Sequence, residues 1–299
     1  MLDLKLNIPE DWFSAEIKGG FLISREKKEI WAYQLDMLYV VQEICKKHNI
    51  PYWADGGTLL GAIRHSGFIP WDDDIDIMML RADYDRFLEV AKEELSEPYF
   101  LQTDWTDSAF FCHTKIRRSD TTAVLAKDIL ANFDFNQGIF IDIFPMDFVP
   151  SDNEEEYRKF VDHLWMLKNE MLISRSRYWL YERDNEECRI HADTMRDKFE
   201  VLRRKYFNNT TTVANLSLPN LKKDIRKELS EFDDTLFAQF EMLTVPIPSG
   251  WDSILQRLYG DYMTPVPGGS NHGDILFDTH VSYKDTAILK YKKNFIGEF

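Results

Sequence analysis

The amino-acid sequence predicts an α/β core followed by a helical region, and two observations support this fold class. Between residues 28 and 144, helical patterns alternate with short apolar runs rich in β-branched and aromatic residues. After about residue 150, long stretches with charged faces follow. We therefore expect four segments: an N-terminal arm over 1–25, a core over 26–150, a helical region over 151–250, and a C-terminal segment over 251–299 that packs on the core.

In the first half of the core, the sequence predicts a helix over 28–48. Apolar residues recur there near helical spacing, three basic residues close its end, and Asn49 is a stop signal. Residues 1–25 are expected to be irregular. In chain order we then expect a strand at 50–54, a glycine turn at 56–57, a short helix capped by Thr58 and reaching Arg64, a strand at 75–80 and a helix at 84–94.

The second half of the core predicts short strands over 98–124 and a strand at 138–144. The latter, GIFIDIF, is rich in Ile and Phe, and we expect Pro145 to break it. The composition changes near Pro150 and Ser151, where we place the end of the core. Helical patterns follow at 153–182, 185–207 and 219–243.

Composition limits the function classes. The chain has 299 residues, of which 44% are hydrophobic, so it can form a sizeable core and is not a disordered protein. Its formal charge of −15 argues against non-specific binding of a nucleic-acid duplex, and no nucleic-acid partner is expected. An anionic substrate stays compatible with this charge, because basic groups or a metal ion can reverse the field within one cleft.

The cysteine count and the N-terminal sequence suggest a cytoplasmic protein. The three cysteines contain no close pair, which disfavours a zinc site and fits a reducing compartment. No basic segment precedes an apolar stretch at the N-terminus, so we expect no signal peptide, and no apolar window is long enough for a membrane span. The basic run KYKKNF at 290–295 is best explained as a solvated tail. A peripheral contact with the inner face of an anionic membrane is the alternative.

A run of acids precedes the expected strand at 75–80. In a strand, residues i and i+2 share a face, so Asp74 and Asp76 should project together, roughly 7 Å apart. Two carboxylates this close repel each other, and a divalent cation would relieve the repulsion. Mg²⁺ suits such oxygen ligands and often also binds substrate phosphates. Asp142 is a third candidate ligand, because an unpaired acid inside GIFIDIF would be costly.

A glycine pair precedes the acids. Gly56 and Gly57 allow the backbone to approach a ligand closely, and the helix that follows offers free N–H groups at its start, where a phosphate fits. A phosphate site, an acid pair and a third acid on another strand together indicate phosphoryl-transfer chemistry.

These residues resemble a known family. The stretch WADGGTLLGAIRHSGFIPWDDDIDI at 53–77 is similar to the LicD family of the nucleotidyltransferase superfamily, which includes bacterial phosphocholine transferases and animal fukutin-related protein. GIFIDIFPMD at 138–147 resembles the second block of that family, and WDSILQRLYGDYM at 251–263 resembles a C-terminal block. Residues 151–250 resemble nothing that we recognise.

The resemblance implies a nucleotidyltransferase-like catalytic core with a mixed sheet flanked by helices. It implies that Asp74, Asp76 and Asp142 bind Mg²⁺ (or Mn²⁺), with general base as an alternative role for Asp142. The residues implied to hold donor phosphates are Gly56, Gly57 and Thr58. The implied reaction moves a substituted phosphate, best explained as phosphocholine from CDP-choline, onto a glycan or lipid-linked saccharide. The acceptor would be a precursor of teichoic acid or lipopolysaccharide.

Alternatives remain open at the level of function. A nucleotidyltransferase acting on a small molecule is one, and a non-catalytic nucleotide-binding protein is another. A calcium-binding loop is a third, because Asp72, Asp74, Asp76 and Asp83 occupy positions 1, 3, 5 and 12 of an EF-hand. Ile77 stands where that loop requires glycine, which disfavours it. A solvated acidic turn is disfavoured by the apolar residues beside it.

Individual residues also have more than one interpretation. Asp142 could pair with a core arginine, and the two glycines could form an ordinary turn. In HTKIRR, Lys115 and Arg117 share one face of a strand, which either steers donor phosphates or forms a solvated edge. Arg64 and His65 have the same two interpretations, contact with donor phosphates or a solvated position.

The donor head group is not determined by these motifs. Choline would require aromatic faces, whereas a polyol would require paired polar groups. The aromatic candidates are Tyr178, Trp179, Tyr181, Trp251 and Tyr262. The first three are better explained by core packing, and His272 by a loop position.

Overall fold

The computed structural model describes residues 2–107, 109–125, 135–180, 185–217, 219, 225–266 and 275–285, and confirms the predicted mixed α/β fold. The helices are α1 (Arg25–His48), α2 (Gly56–His65), α3 (Arg81–Glu94), α4 (Glu154–Leu180), α5 (Glu186–Arg203) and α6 (Trp251–Tyr259). Short 3-10 helices lie at Glu10–Phe13 and Leu229–Phe232. In the described residues, no helix is both long enough and apolar enough to span a membrane.

The first seven strands are β1 (Glu16–Lys18), β2 (Phe21–Ile23), β3 (Trp53–Ala54), β4 (Asp76–Leu80), β5 (Tyr99–Gln102), β6 (Thr114–Arg118) and β7 (Thr122–Leu125). The remaining strands are β8 (Ile139–Phe148), β9 (Thr212–Asn215), β10 (Arg226–Glu228), β11 (Thr235–Phe240), β12 (Leu243–Pro248) and β13 (Ile275–Asp278).

A seven-stranded mixed sheet forms the centre of the molecule. Its order is β10-β9-β8-β4-β3, and β6 pairs with β8 and with β5. Strands β4 and β8 are parallel, and the other pairs of this sheet are antiparallel. The apolar core extends from α1 across this sheet, and a second apolar cluster lies beneath α4 and α5.

Strand β8 continues through Pro145, so the predicted break there is wrong. On one edge, β8 pairs with β4 along its middle. On the other edge, it pairs with β6 up to Ile143 and with β9 from Met146 onward. Pro145 falls between these two partners, where no N–H is needed for that edge, and a proline is therefore tolerated in a central strand.

In the N-terminal half, one expected feature is wrong and another is confirmed. Residues 1–25 contain a 3-10 helix and the β1–β2 hairpin, so the expectation of an irregular arm is wrong. Gly19 and Gly20, both at positive φ, form the hairpin turn, which glycine allows without strain. Asn49 ends α1 in the left-handed conformation, as predicted.

The region after residue 150 is less helical than predicted. Helices α4 and α5 are present, but β10, β11 and β12 occupy the described part of 219–243 and the residues just after it, so a helix there is wrong. Strands β11 and β12 pair as an antiparallel hairpin, and cross-strand pairing, which local periodicity does not reveal, decides their structure. Strands β9 and β10 join the central sheet. Helix α6, which follows these strands in the chain, contacts α2.

Candidate active site

Three charged side chains form a row across the central sheet. Asp76 on β4 is paired in register with Asp142 on β8, and Asp142 is paired in register with Lys115 on β6. Residues paired in register point to the same face of a sheet. Their neighbours Ile75, Ile77, Ile141 and Ile143 are fully buried. The alternation of acids and isoleucines in both strands therefore anchors one face in the core and turns the acids to the other.

The predicted acid cluster is present. One carboxylate oxygen from each of Asp74, Asp76 and Asp142 lies within 4.8 Å of the others. Asp74 precedes β4 instead of lying inside it, because the strand begins at Asp76, one residue later than predicted. The structure nevertheless brings the three acids together. Asp72 and Asp73 form a second such group with Asp74.

The electrostatics of this cluster fit a divalent cation. Burial raises the pKa of Asp76 well above its ordinary value, and the neighbouring carboxylates, Asp74 and Asp142 foremost, raise it further. Burial and the charge of Asp73 likewise raise the pKa of Asp72. Acids that repel in this way are stabilised in the ionised form by a cation, and clustered carboxylate oxygens are the ligands that Mg²⁺ prefers.

Asp142 has two basic partners of its own. Lys115 Nζ lies 2.5 Å from Oδ1 of Asp142, and His113 Nε2 lies 3.0 Å from the same oxygen. Burial acts to raise the pKa of Asp142, but Lys115 and His113 outweigh it and hold the pKa well below its ordinary value. The alternative of a core arginine partner is wrong. His113 was missed, although it precedes Lys115 by two residues, the spacing of a shared strand face.

Helix α2 begins at the two glycines. The cap position is Asp55, whose side chain makes no capping hydrogen bond, so the prediction that Thr58 caps this helix is wrong. Thr58 Oγ1 instead accepts a hydrogen bond of 2.8 Å from the backbone N–H of Asp76, which ties α2 to β4. A Cβ on Gly57 would lie 2.3 Å from Oδ2 of Asp72, so a larger residue here would have to displace that carboxylate.

A cleft of about 470 Å³ opens over these residues. The predicted residues that line it are Gly56, Gly57, Arg64, Asp74, Asp76 and Asp142. Its lining also includes residues that were not predicted as site residues, among them Asp55 and Trp71 from the first motif, Tyr259 and Asp261 from the C-terminal block, and Lys227, which lies outside both. Burial and the carboxylates of Asp55 and Asp76 raise the pKa of Tyr259 above its ordinary value, so its phenol stays protonated.

The other predicted site residues lie outside the lining of this cleft. Arg117 is buried and donates hydrogen bonds to Gln102 and to the carbonyl of Gly138. Because β6 is an internal strand whose five residues are all buried, the solvated-edge alternative is wrong. His65 packs edge-on against Trp71, and burial together with Arg64 lowers its pKa to about 4.

The aromatic candidates divide into two groups. Tyr262 lines the cleft, and the Trp251 ring lies 6.5 Å from it, centroid to centroid. Tyr178 does not line the cleft. The Trp179 side chain, Tyr181, His272 and the run 290–295 lie outside the described residues.

The calcium-loop alternative does not fit the structure. Asp83, which would be the last ligand of the loop, lies in the first turn of α3 and pairs with Arg86. Residues 76–80, the middle of the proposed loop, form a strand at the centre of the sheet. An acidic turn in open solvent is equally inconsistent with this placement.

Comparison with known proteins gives concordant results. The family profile described as "LicD/FKTN/FKRP, nucleotidyltransferase domain" matches residues 49–170. Lipopolysaccharide cholinephosphotransferase LicD of Haemophilus influenzae is 30% identical over 254 residues, which cover 78% of this chain and 89% of that protein. An uncharacterized protein of Rickettsia typhi is 46% identical over 68 residues, 23% of this chain and 21% of its own length. Human ribitol 5-phosphate transferase FKRP is 49% identical over 39 residues, 13% of this chain and 8% of that protein.

The matched profile includes α2, β4 and β8, the three elements that carry the glycines and the acid cluster. The similarity to the Haemophilus protein extends along most of both chains. This chain therefore belongs to the LicD family of phosphotransferases.

Proposed function

We propose that this protein is a metal-dependent transferase that moves phosphocholine from CDP-choline onto a hydroxyl of a cell-surface glycan precursor. The observation that carries the proposal is the meeting of Asp74, Asp76 and Asp142 in a cleft that begins at the glycines of α2. The Haemophilus influenzae relative, which matches over 89% of its own length, is named as a lipopolysaccharide cholinephosphotransferase, which supports a phosphate-group transfer to a surface glycan.

In this proposal the acids hold Mg²⁺ (or Mn²⁺), and the first turn of α2 binds the donor phosphates. Bound there, the cation would neutralise charge on the transferring group and on the attacking and leaving oxygens. The bond from phosphorus to the CMP oxygen breaks as a bond to the acceptor hydroxyl oxygen forms. Because Lys115 and His113 hold the pKa of Asp142 low, we assign Asp142 the role of an ionised ligand in preference to that of a general base.

The cleft walls support a choline head group. Trp71, Tyr259 and Tyr262 supply aromatic surface to the lining, and Asp261 supplies a carboxylate. A quaternary ammonium cannot donate a hydrogen bond and is recognised by aromatic faces. A polyol pocket would need paired polar side chains, and, apart from the two phenols, Asn215 and Thr264 are the neutral side chains with an amide or hydroxyl group among the described lining residues.

The acceptor in this proposal is a lipopolysaccharide or teichoic acid precursor, either a free glycan or a lipid-linked saccharide. A donor activated with CDP is available inside the cell, so we propose that the reaction takes place in the cytoplasm or at the inner face of the membrane.

The test incubates purified protein with CDP-choline and lipopolysaccharide acceptor, with Mg²⁺ or with EDTA, and follows both CMP release and choline on the acceptor. The proposal predicts both products with Mg²⁺ and neither with EDTA. A nucleotidyltransferase would instead attach the nucleotide to the acceptor. Transfer from CDP-ribitol but not from CDP-choline would retain the reaction class and change the donor, an outcome that the short match to FKRP makes worth testing.

A further inference from the structure

Lys227 is a buried cation on the wall of the cleft. It lies on β10, outside the part of the chain that the family profile matches, and its side chain is only 5% exposed. Its Nζ lies 3.4 Å from Oδ1 of Asp55, the residue immediately before the two glycines of α2. Strand β10 reaches this position because β9 and β10 extend the central sheet.

The hydrogen-bonding capacity of this pair is not used. An ammonium group has three N–H donors, yet in the described part of the chain Lys227 Nζ makes the ion pair with Asp55 and no hydrogen bond. Oδ1 of Asp55 is buried and also has no hydrogen-bond partner there. Buried polar groups are nearly always satisfied, so a buried ammonium with free donors on a cleft wall indicates that a ligand completes the site.

The positions of the two cations, and not the net charge of the cleft, indicate that the ligand's contacting atoms are negatively charged. Seven aspartates and two cations, Arg64 and Lys227, line its described part. Arg64 already donates a hydrogen bond of 2.5 Å to the carbonyl of Tyr262. Lys227 is thus the cation with free donors beside the start of α2, where uncapped backbone N–H groups also favour an anion.

We propose that Lys227 binds a phosphate oxygen of the donor diphosphate, together with the first-turn amides of α2. The identity of the donor rests on the proposed function, whereas the diphosphate site itself does not. Asp55 is then the buried counter-charge of Lys227, and it competes with the phosphate oxygen for the ammonium.

The test measures binding of inorganic pyrophosphate in the presence of Mg²⁺ by calorimetry. Lys227→Met should weaken binding roughly 10- to 100-fold, the effect of losing one charge-assisted hydrogen bond. Asp55→Asn should preserve or tighten binding, because it removes a competing negative charge and leaves the ammonium. Lys28→Met is the matched control, since Lys28 is also 5% exposed but lies under the N-terminal arm and pairs with Glu16. It should bind pyrophosphate as the wild type does.

Three results would overturn the assignment: no pyrophosphate binding by the wild type, equal binding by wild type and Lys227→Met, or equal losses in Asp55→Asn and Lys227→Met. If Lys227→Met does not fold, the double variant Asp55→Asn/Lys227→Met removes both buried charges and should show the same loss.

Titration with CDP-choline separates the proposal of a Lys227 subsite from the proposed function. Pyrophosphate binding through Lys227 without CDP-choline binding would retain the subsite and reject the donor. Equal CDP-choline binding by wild type and Lys227→Met would retain the donor and reject the Lys227 subsite.

Discussion

Asp76 on β4 lies directly opposite Asp142 on β8 in the parallel register of the central sheet. Two buried carboxylates on one face are unfavourable unless positive charge lies near them. Lys115, the next residue in the row, supplies one positive charge to Asp142, and Asp76 is left with carboxylate neighbours. This asymmetry leads to different expectations for Asp76 and for the Lys115–Asp142 ion pair.

Asp76→Asn should stabilise the metal-free protein and abolish transfer. The folded protein raises the pKa of Asp76, so this residue opposes folding at every pH above its ordinary pKa of 3.8, and the neutral amide removes the cost. Thermal unfolding at pH 7.5 in EDTA should show a higher Tm than the wild type. A lower Tm, or full transfer activity in this variant, would contradict the prediction.

Lys115→Met should destabilise the protein by about 3–5 kcal/mol, because it leaves the carboxylate of Asp142 buried without its main counter-charge. Urea unfolding gives the free energy directly. The double variant Lys115→Met/Asp142→Asn should recover most of the loss, since both charges are then gone. If the double variant is as unstable as Lys115→Met, Lys115 stabilises the sheet by packing and not through Asp142.

Asp104→Asn should change the pH dependence of stability. Burial and the charge of Glu200 raise the pKa of Asp104 from 3.8 to about 6, although its carboxylate accepts hydrogen bonds from the N–H of Cys112. An acid with a raised folded pKa favours folding less as the pH rises, here between about pH 4 and 6, by on the order of 3 kcal/mol.

The asparagine variant lacks this titration. Its free energy of unfolding relative to the wild type should therefore increase from pH 4 to pH 7 in paired urea titrations. A difference that stays constant across this range would show that Asp104 titrates normally.

Trp71→Ala should weaken CDP-choline binding more than CDP-ribitol binding. A cation–π contact contributes about 0.5–2 kcal/mol, which corresponds to a several-fold to roughly 30-fold change in affinity. Trp105→Ala is the control, because Trp105 is exposed and does not line the cleft. Equal losses for both donors would indicate that Trp71 contacts the nucleotide or the phosphates and not the head group.

The sequence predicts the acid cluster well because its signal is local. The alternation of Asp and Ile around Asp76 and Asp142 predicts both that these segments are strands and on which face of the strand each acid lies. The glycine pair and the Asn49 stop are local signals of the same kind.

The parts that the sequence does not predict depend on pairing between distant segments. Lys227 reaches the cleft only because β10 pairs with β9 and β9 with β8. Pro145 is tolerated only because β8 exchanges one partner for another at that point. The same long-range pairing gives strands in the described part of 219–243, where the sequence pattern predicts a helix.

The most direct test of the central claim is a Mn²⁺ titration of the protein followed by electron paramagnetic resonance. Wild type should bind Mn²⁺ saturably. Asp76→Asn and Asp142→Asn should each lose at least about tenfold in affinity, since losing even a hydrogen-bond partner of a metal ligand typically costs that much. Asp83→Asn, outside the cluster, should bind as the wild type does. Mn²⁺ binding of wild-type affinity in both Asp76→Asn and Asp142→Asn would contradict a metal site built from these acids.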